Sequence, residues 1–207
     1  MTEIGACEKD IVLKKKSEIQ CNRKMVFLVA GRLIYRKGHI FLLDTLDKIP
    51  SHYEYEVRIV GRGSDLKKIE KKIKASNNLK KHVKVIGRVS FEDMSREYDN
   101  ADALIMPSIR ETTGTVIIEG MSKGIPIIAL NKFGASIILN EKVGYLYDGL
   151  TLGEITDNLK KILIFCIENT GILMEKGKNA QIEAQKYLFK NKVKYYNNIY
   201  RSIIEKS

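Results

Sequence analysis

The 207-residue chain has only three cysteines, Cys7, Cys21 and Cys166, in no CxxC pair and no Cys/His cluster. That scatter argues against a disulfide framework and against a structural zinc site. No apolar run approaches the length of a membrane span. The opening stretch MTEIGACEKDIVLKKKSEIQ has no apolar signal core, so a cytoplasmic location is expected. There is no internal repeat and no low-complexity linker. HExxH, GxSxG and DxD are all missing, which removes local support for a metalloprotease, a serine hydrolase and a metal-dependent sugar transfer. His39 has no nearby Asp or Ser partner and reads as structural; His52 and His82 sit in no motif.

What is present is a balanced, basic composition. An apolar fraction of 44% and a charged fraction of 29% fit a globular domain rather than a disordered chain. The net charge is +11, and it is concentrated. Arg62 to Arg88 holds ten basic residues against two acidic ones, and Leu173 to Ser207 holds eight against three. The ordinary explanation is a solvated helix face. The functional ones are attraction to anionic lipid heads, to a phosphorylated substrate or to nucleic acid. Nucleic acid is the weakest, because no interleaved aromatics or recognition helix accompany the lysines.

Short apolar runs alternate with amphipathic stretches. MVFLVAG (Met25–Gly31), YEVRIVG (Tyr55–Gly61), HVKVIG (His82–Gly87), ALIMP (Ala103–Pro107), IPIIAL (Ile125–Leu130) and GYLYD (Gly144–Asp148) read as six strands. Between them lie KGHIFLLDTLDKI, with helical spacing of Ile40, Leu43 and Leu46, and DLKKIEKKIKAS, with Ser64 as its expected cap. SFEDMSREYDNA follows with Ser90 at the cap and Asp93 as an acidic capping-box partner, and GTVIIEGMSKG is a short helix stopped by Gly124. Three helices, roughly Leu152–Asn169, Leu173–Tyr187 and Lys190–Glu205, fill the rest. This alternation predicts an α/β fold: a doubly wound, mostly parallel six-stranded Rossmann-like sheet, with helices on both faces and extra C-terminal helices. The expected organisation is a lead-in or linker-like segment over 1–24, a Rossmann-like domain over 25–170, and helices of the same domain over 171–207. In such sheets the ligand sits outside the carboxyl ends of the strands.

Two stretches could carry chemistry. In GRLIYRKG, Gly31 permits a sharp turn after the first strand, Arg32 presents a planar fork to phosphate oxygens, and Lys37 adds a point charge before the next helix. It is neither GxGxxG nor a P-loop. In PSIRETTGTVIIEGMSKG, Glu111 precedes a helix that begins near Gly114, and Glu119 follows inside it. The backbone N–H groups of Thr113, Gly114 and Thr115 could receive a pyrophosphate. An ionised carboxylate accepts from two vicinal hydroxyls, which suits a ribose or a hexose diol. The plainer alternatives are a loop charge at Glu111 beside Arg110, and an i,i+4 pair of Glu119 with Lys123.

Taken in order, GRL…KG, IVGRGSDLKKIE, VIGRVSFEDMSREYDNADALIMPS, RETTGTVIIEGMSKGIPIIALNKFG and VGYLYDG resemble the C-terminal donor-binding domain of the family 4, GT-B-fold, retaining glycosyltransferases. The likeness runs from about Val26 to Gly149, and Glu111 and Glu119, seven residues between them, form its most specific element. The resemblance implies a hexosyltransferase acting on a glycan or lipid-linked acceptor in surface polysaccharide synthesis. It implies a UDP- or GDP-sugar donor, no cofactor and no required metal. Glu111, Arg32 and Lys37 would be catalytic, with Glu111 on the donor sugar and the two cations on the diphosphate. Gly31, Arg88, Val89, Thr113, Gly114, Thr115 and Glu119 would bind donor, Glu119 on the ribose and Arg88–Val89 against the base.

Two departures stand out. ETTG replaces the Glu-Gly-Phe-Gly of many relatives, and KFGASII replaces a Gly-Gly pair with a nearby Glu, which puts a sugar contact in doubt. A complete enzyme of this kind also carries an N-terminal acceptor domain, so the chain is expected to need a missing domain or partner chain, with peripheral membrane association. The alternatives left open are a non-catalytic sugar-nucleotide-binding or partner subunit of a split glycosyltransferase, and a fragment of a two-Rossmann nucleotide-sugar epimerase.

Overall fold

The computed structural model describes residues 24–111 and 114–204. The expected lead-in segment falls, apart from Lys24, outside the described residues. Six strands form one sheet: β1 (Met25–Ala30), β2 (Tyr55–Val60), β3 (Val83–Gly87), β4 (Ala103–Met106), β5 (Ile127–Leu130) and β6 (Gly144–Tyr147). Their order is β3-β2-β1-β4-β5-β6, and all five pairings are parallel. Parallel strands demand helical crossovers, and these cover both faces, which is why β4 and β5 are buried at every residue.

One face carries α1 (His39–Asp47), α2 (Leu66–Ala75), α3 (Asn77–His82) and α7 (Leu152–Glu168). Phe27, Val29, Val57 and Ile59 pack there with Leu42, Leu43, Leu46, Ile69, Leu159 and Leu163. The other face carries α4 (Phe91–Asn100), α5 (Thr115–Ser122), α6 (Gly134–Ile138) and α8 (Thr170–Ala184). Leu28, Leu104, Met106, Ile127 and Ala129 pack there with Ile117, Met121, Ile138 and Ala180. The alternation of Phe27 and Val29 against Leu28 along β1 is the strand period dividing its side chains between two cores. The last helix is α9 (Phe189–Ile204). Among the described residues no helix is long and apolar enough to cross a membrane.

Local signals act as expected in part. Ser90 caps α4, its hydroxyl accepting the Asp93 N–H at 3.1 Å. Ser64 does not cap α2: Asp65 holds that position, and its side chain makes no capping bond. Arg58 on β2 grips the Glu97 carboxylate of α4 through two bonds of 2.7 Å, tying the sheet to that helix. Phe133, just before α6, is the one non-glycine at positive φ among the described residues, with φ 55° and ψ −136°. That region is essentially glycine territory, and occupying it costs about 1–3 kcal/mol.

Candidate functional site

The sheet changes winding direction between β1 and β4: the chain leaves β1 toward β2 and leaves β4 toward β5. A crevice opens at such a point beyond the carboxyl ends of the strands. At this edge the chain runs through 31–38 after β1 and 107–111 after β4. The loops are stitched together, since the Arg36 carbonyl accepts the Ile109 N–H at 2.9 Å. Gly38 sits at φ 71°, and a Cβ on it would lie 2.0 Å from the Pro107 carbonyl oxygen, so only glycine lets the loops close this tightly.

That closure brings Lys37 and Glu111 together. The Lys37 ammonium donates to Glu111 Oε2, and the two side chains keep 18% and 14% of their surface exposed. Ser108 Oγ reaches the same oxygen at 3.4 Å, and the Gly114 N–H also donates to the carboxylate. Burial would raise the Glu111 carboxyl, but Lys37, Gly114 and Ser108 together hold it below the usual carboxylate range. Glu111 is therefore an anion seated at the mouth of α5, where the helix N-terminus and a cation both favour negative charge.

Of the remaining candidates, Gly31, Arg32, Arg88 and Val89 follow strand ends of this edge, and Gly114 and Thr115 open α5. Gly31 follows β1, and its N–H donates to the Val60 carbonyl at 3.0 Å. The Gly61 N–H donates to the Gly87 carbonyl at 2.8 Å, continuing the edge to β3. Arg32 and Arg88 are exposed, and among the described residues neither guanidinium has a protein partner. Val89 packs its side chain onto the core beneath. Thr115 is the exposed first residue of α5, after Gly114 at φ 55°. Thr113 lies outside the described residues. Glu119 is exposed on α5 and accepts the Tyr98 hydroxyl at 2.7 Å. Lys123 does not pair with it; its ammonium goes to Ser95 Oγ at 2.8 Å. From β4 to β3 the edge crosses three strand spacings, about 14 Å.

Sequence reasoning did not single out Ser108 or Tyr98. Ser108 directly follows the strand-ending Pro107, a position that could have suggested it; nothing local marks Tyr98, which is 21 residues from its partner. His39, read as structural, is buried at the start of α1, and its Nδ1 has no partner among the described residues. Burial pulls its pKa down to about 4, with Asp65 opposing and Lys37 assisting. Among the described residues no three His, Cys, Asp or Glu side chains gather as metal ligands would.

The model of a family described as glycosyl transferases group 1 matches residues 12–165. An uncharacterized glycosyltransferase of Methanocaldococcus jannaschii is 28% identical over 177 residues, covering 85% of this chain and 48% of that protein. The solved sucrose-phosphate synthase of Thermosynechococcus elongatus superposes with a TM-score of 0.76 at 24% identity, over 99% of this chain and 52% of that one. Anabaena HepE, solved in complex with UDP and glucose, superposes with a TM-score of 0.71 at 26% identity, over 87% of this chain and 48% of that one. The chain spans about half or less of the length of the curated relatives it matches.

Proposed function

Because the chain belongs to the group 1 glycosyl transferases, we propose that it is the donor-binding half of a retaining, metal-independent hexosyltransferase of the family 4 kind. The observation that carries this reading is the meeting of the β1 and β4 loops, which sets Lys37 against Glu111, with Arg32 exposed on the same edge and without a side-chain partner among the described residues. A nucleoside diphosphate sugar is an extended anion, and this edge offers it matching parts in order. Arg88 and Val89 take the base beyond β3, Glu119 accepts from the ribose, and Arg32, Lys37 and the α5 N-terminus take the diphosphate. Glu111 accepts from the sugar hydroxyls.

The chemical demand on such a site is the charge that develops on the leaving diphosphate as the glycosidic bond breaks. Two cations and oriented backbone amides stabilise that charge more than they stabilise the bound donor. They fill the role that a divalent ion plays in metal-dependent transfer. The acceptor, a glycan or a lipid-linked sugar, enters from a second domain or partner chain, and closure of the two halves excludes water. The basic surface suits a peripheral position on an anionic membrane face.

Calorimetric titration of the chain with UDP and GDP, first with chelator and then with magnesium, tests the donor site. Saturable binding of one nucleotide, equal in both conditions and abolished by Arg32→Ala with Lys37→Ala, is expected. Binding that requires magnesium, or that survives loss of both cations, overturns the proposal.

A further inference from the structure

Phe133 holds a backbone conformation suited to glycine, yet burial gives no reason for a phenylalanine there. The residue is 52% exposed and belongs to neither of the two large core clusters. The peptide that follows Phe133 is held at both of its polar groups. The Ser136 hydroxyl donates to the Phe133 carbonyl at 2.8 Å, and the Gly134 N–H reaches the Glu111 carbonyl at 3.4 Å. The strained residue is thus one hydrogen bond from the carboxylate-bearing residue of the candidate site. Ile137, four residues on and inside α6, is 71% exposed, a second apolar residue that neither core covers. Strain that packing does not repay, at the rim of a ligand crevice, points to a ligand role.

We propose that Phe133, supported by Ile137, forms an apolar wall of the donor-sugar subsite and selects a sugar carrying a methyl group, such as an N-acetylamino or 6-deoxy hexose, over its fully hydroxylated counterpart. The inference rests on the donor-site reading above. Neither side chain can hydrogen-bond, so a sugar hydroxyl pressed against them loses its water without compensation, whereas a methyl gains apolar contact. Discrimination by one such group in an apolar subsite is about tenfold or somewhat more.

The test compares UDP-N-acetylglucosamine with UDP-glucose, and GDP-rhamnose with GDP-mannose, on the wild type, Phe133→Gly and Ile137→Ser, with melting followed in parallel. In the pair whose base the chain binds, the wild type is expected to hold the methyl-bearing donor about tenfold tighter. Phe133→Gly, which removes the strain, is expected to melt no lower, to keep its affinity for the bare nucleotide, and to bind both donors within about twofold. Ile137→Ser is expected to narrow the preference in part. A wild-type preference for the hydroxylated donor, no preference, or a preference unchanged in Phe133→Gly overturns the inference alone. A Phe133→Gly variant that loses melting temperature and bare-nucleotide affinity together reduces Phe133 to a structural residue. Failure of the wild type to bind either bare nucleotide defeats the donor-site reading itself, and the inference with it.

Discussion

Replacing Lys37 with Met removes one partner of the Lys37–Glu111 pair while keeping most of the side chain's bulk. Both side chains are largely out of water, so the loss exceeds that of an exposed ion pair. The Gly114 amide and Ser108 hydroxyl remain on the carboxylate, which keeps the loss below that of stranding a fully buried charge. A charge-assisted bond in this setting contributes about 2 kcal/mol. For a chain of this size that is a fall of about 4–8 °C in melting temperature. The pH dependence follows from the sign of the shift. With Lys37 present, the Glu111 carboxyl lies below its unfolded value, so its contribution is complete above about pH 5 and is lost as pH falls through the depressed folded value. Without Lys37 the strongest influence left is burial, which raises the carboxyl, so ionisation no longer favours the fold and the loss of stability on acidification shrinks. Differential scanning fluorimetry from pH 3 to 8 on wild type, Lys37→Met, Glu111→Gln and the double variant reads both effects. Melting of Lys37→Met within about 1 °C of wild type, the smallest shift that an effect of about 0.5 kcal/mol gives, or full additivity of the two single losses, would refute the coupling.

Glu119→Ala is expected to weaken binding of the bare nucleotide, whereas Glu111→Ala weakens only the sugar-bearing donor; equal loss of bare-nucleotide affinity in both contradicts the assigned roles. Gly38→Ala meets both the left-handed backbone and the Pro107 carbonyl, so denaturant unfolding should show a loss greater than about 1–2 kcal/mol. His39 stays neutral in the fold down to about pH 4, while the unfolded chain takes up its proton near pH 6.5. Stability should therefore fall between those values, by up to about 3 kcal/mol, and a His39→Gln variant should show a flatter profile there.

The sheet was legible because each strand is a short apolar run closed by a turn residue, and the alternation with helices leaves few topologies open. The short helices were not. α3 is NNLKKH, too short and polar to show a period, and α6 is the five residues GASII. Their positions are set by packing on β2, β3 and β5, which no local window contains. The site residues were nameable one by one, but their relations were not. Lys37 and Glu111 are 74 residues apart, and only the β1–β4 adjacency joins them. The alternative Glu119–Lys123 pair, which the i,i+4 spacing offered, is defeated by Ser95 and Tyr98 arriving from α4. At Phe133 the sequence showed an absent glycine, and only the backbone shows that a glycine-like conformation stands there.

Hydrogen exchange of the chain with and without saturating UDP or GDP tests most directly whether a nucleotide lies along this edge. The account predicts slowed exchange at residues 31–38, 87–89 and 114–116, three segments distant in sequence and aligned across β4, β1, β2 and β3. Protection confined to other segments, or none under conditions where calorimetry shows binding, would contradict it.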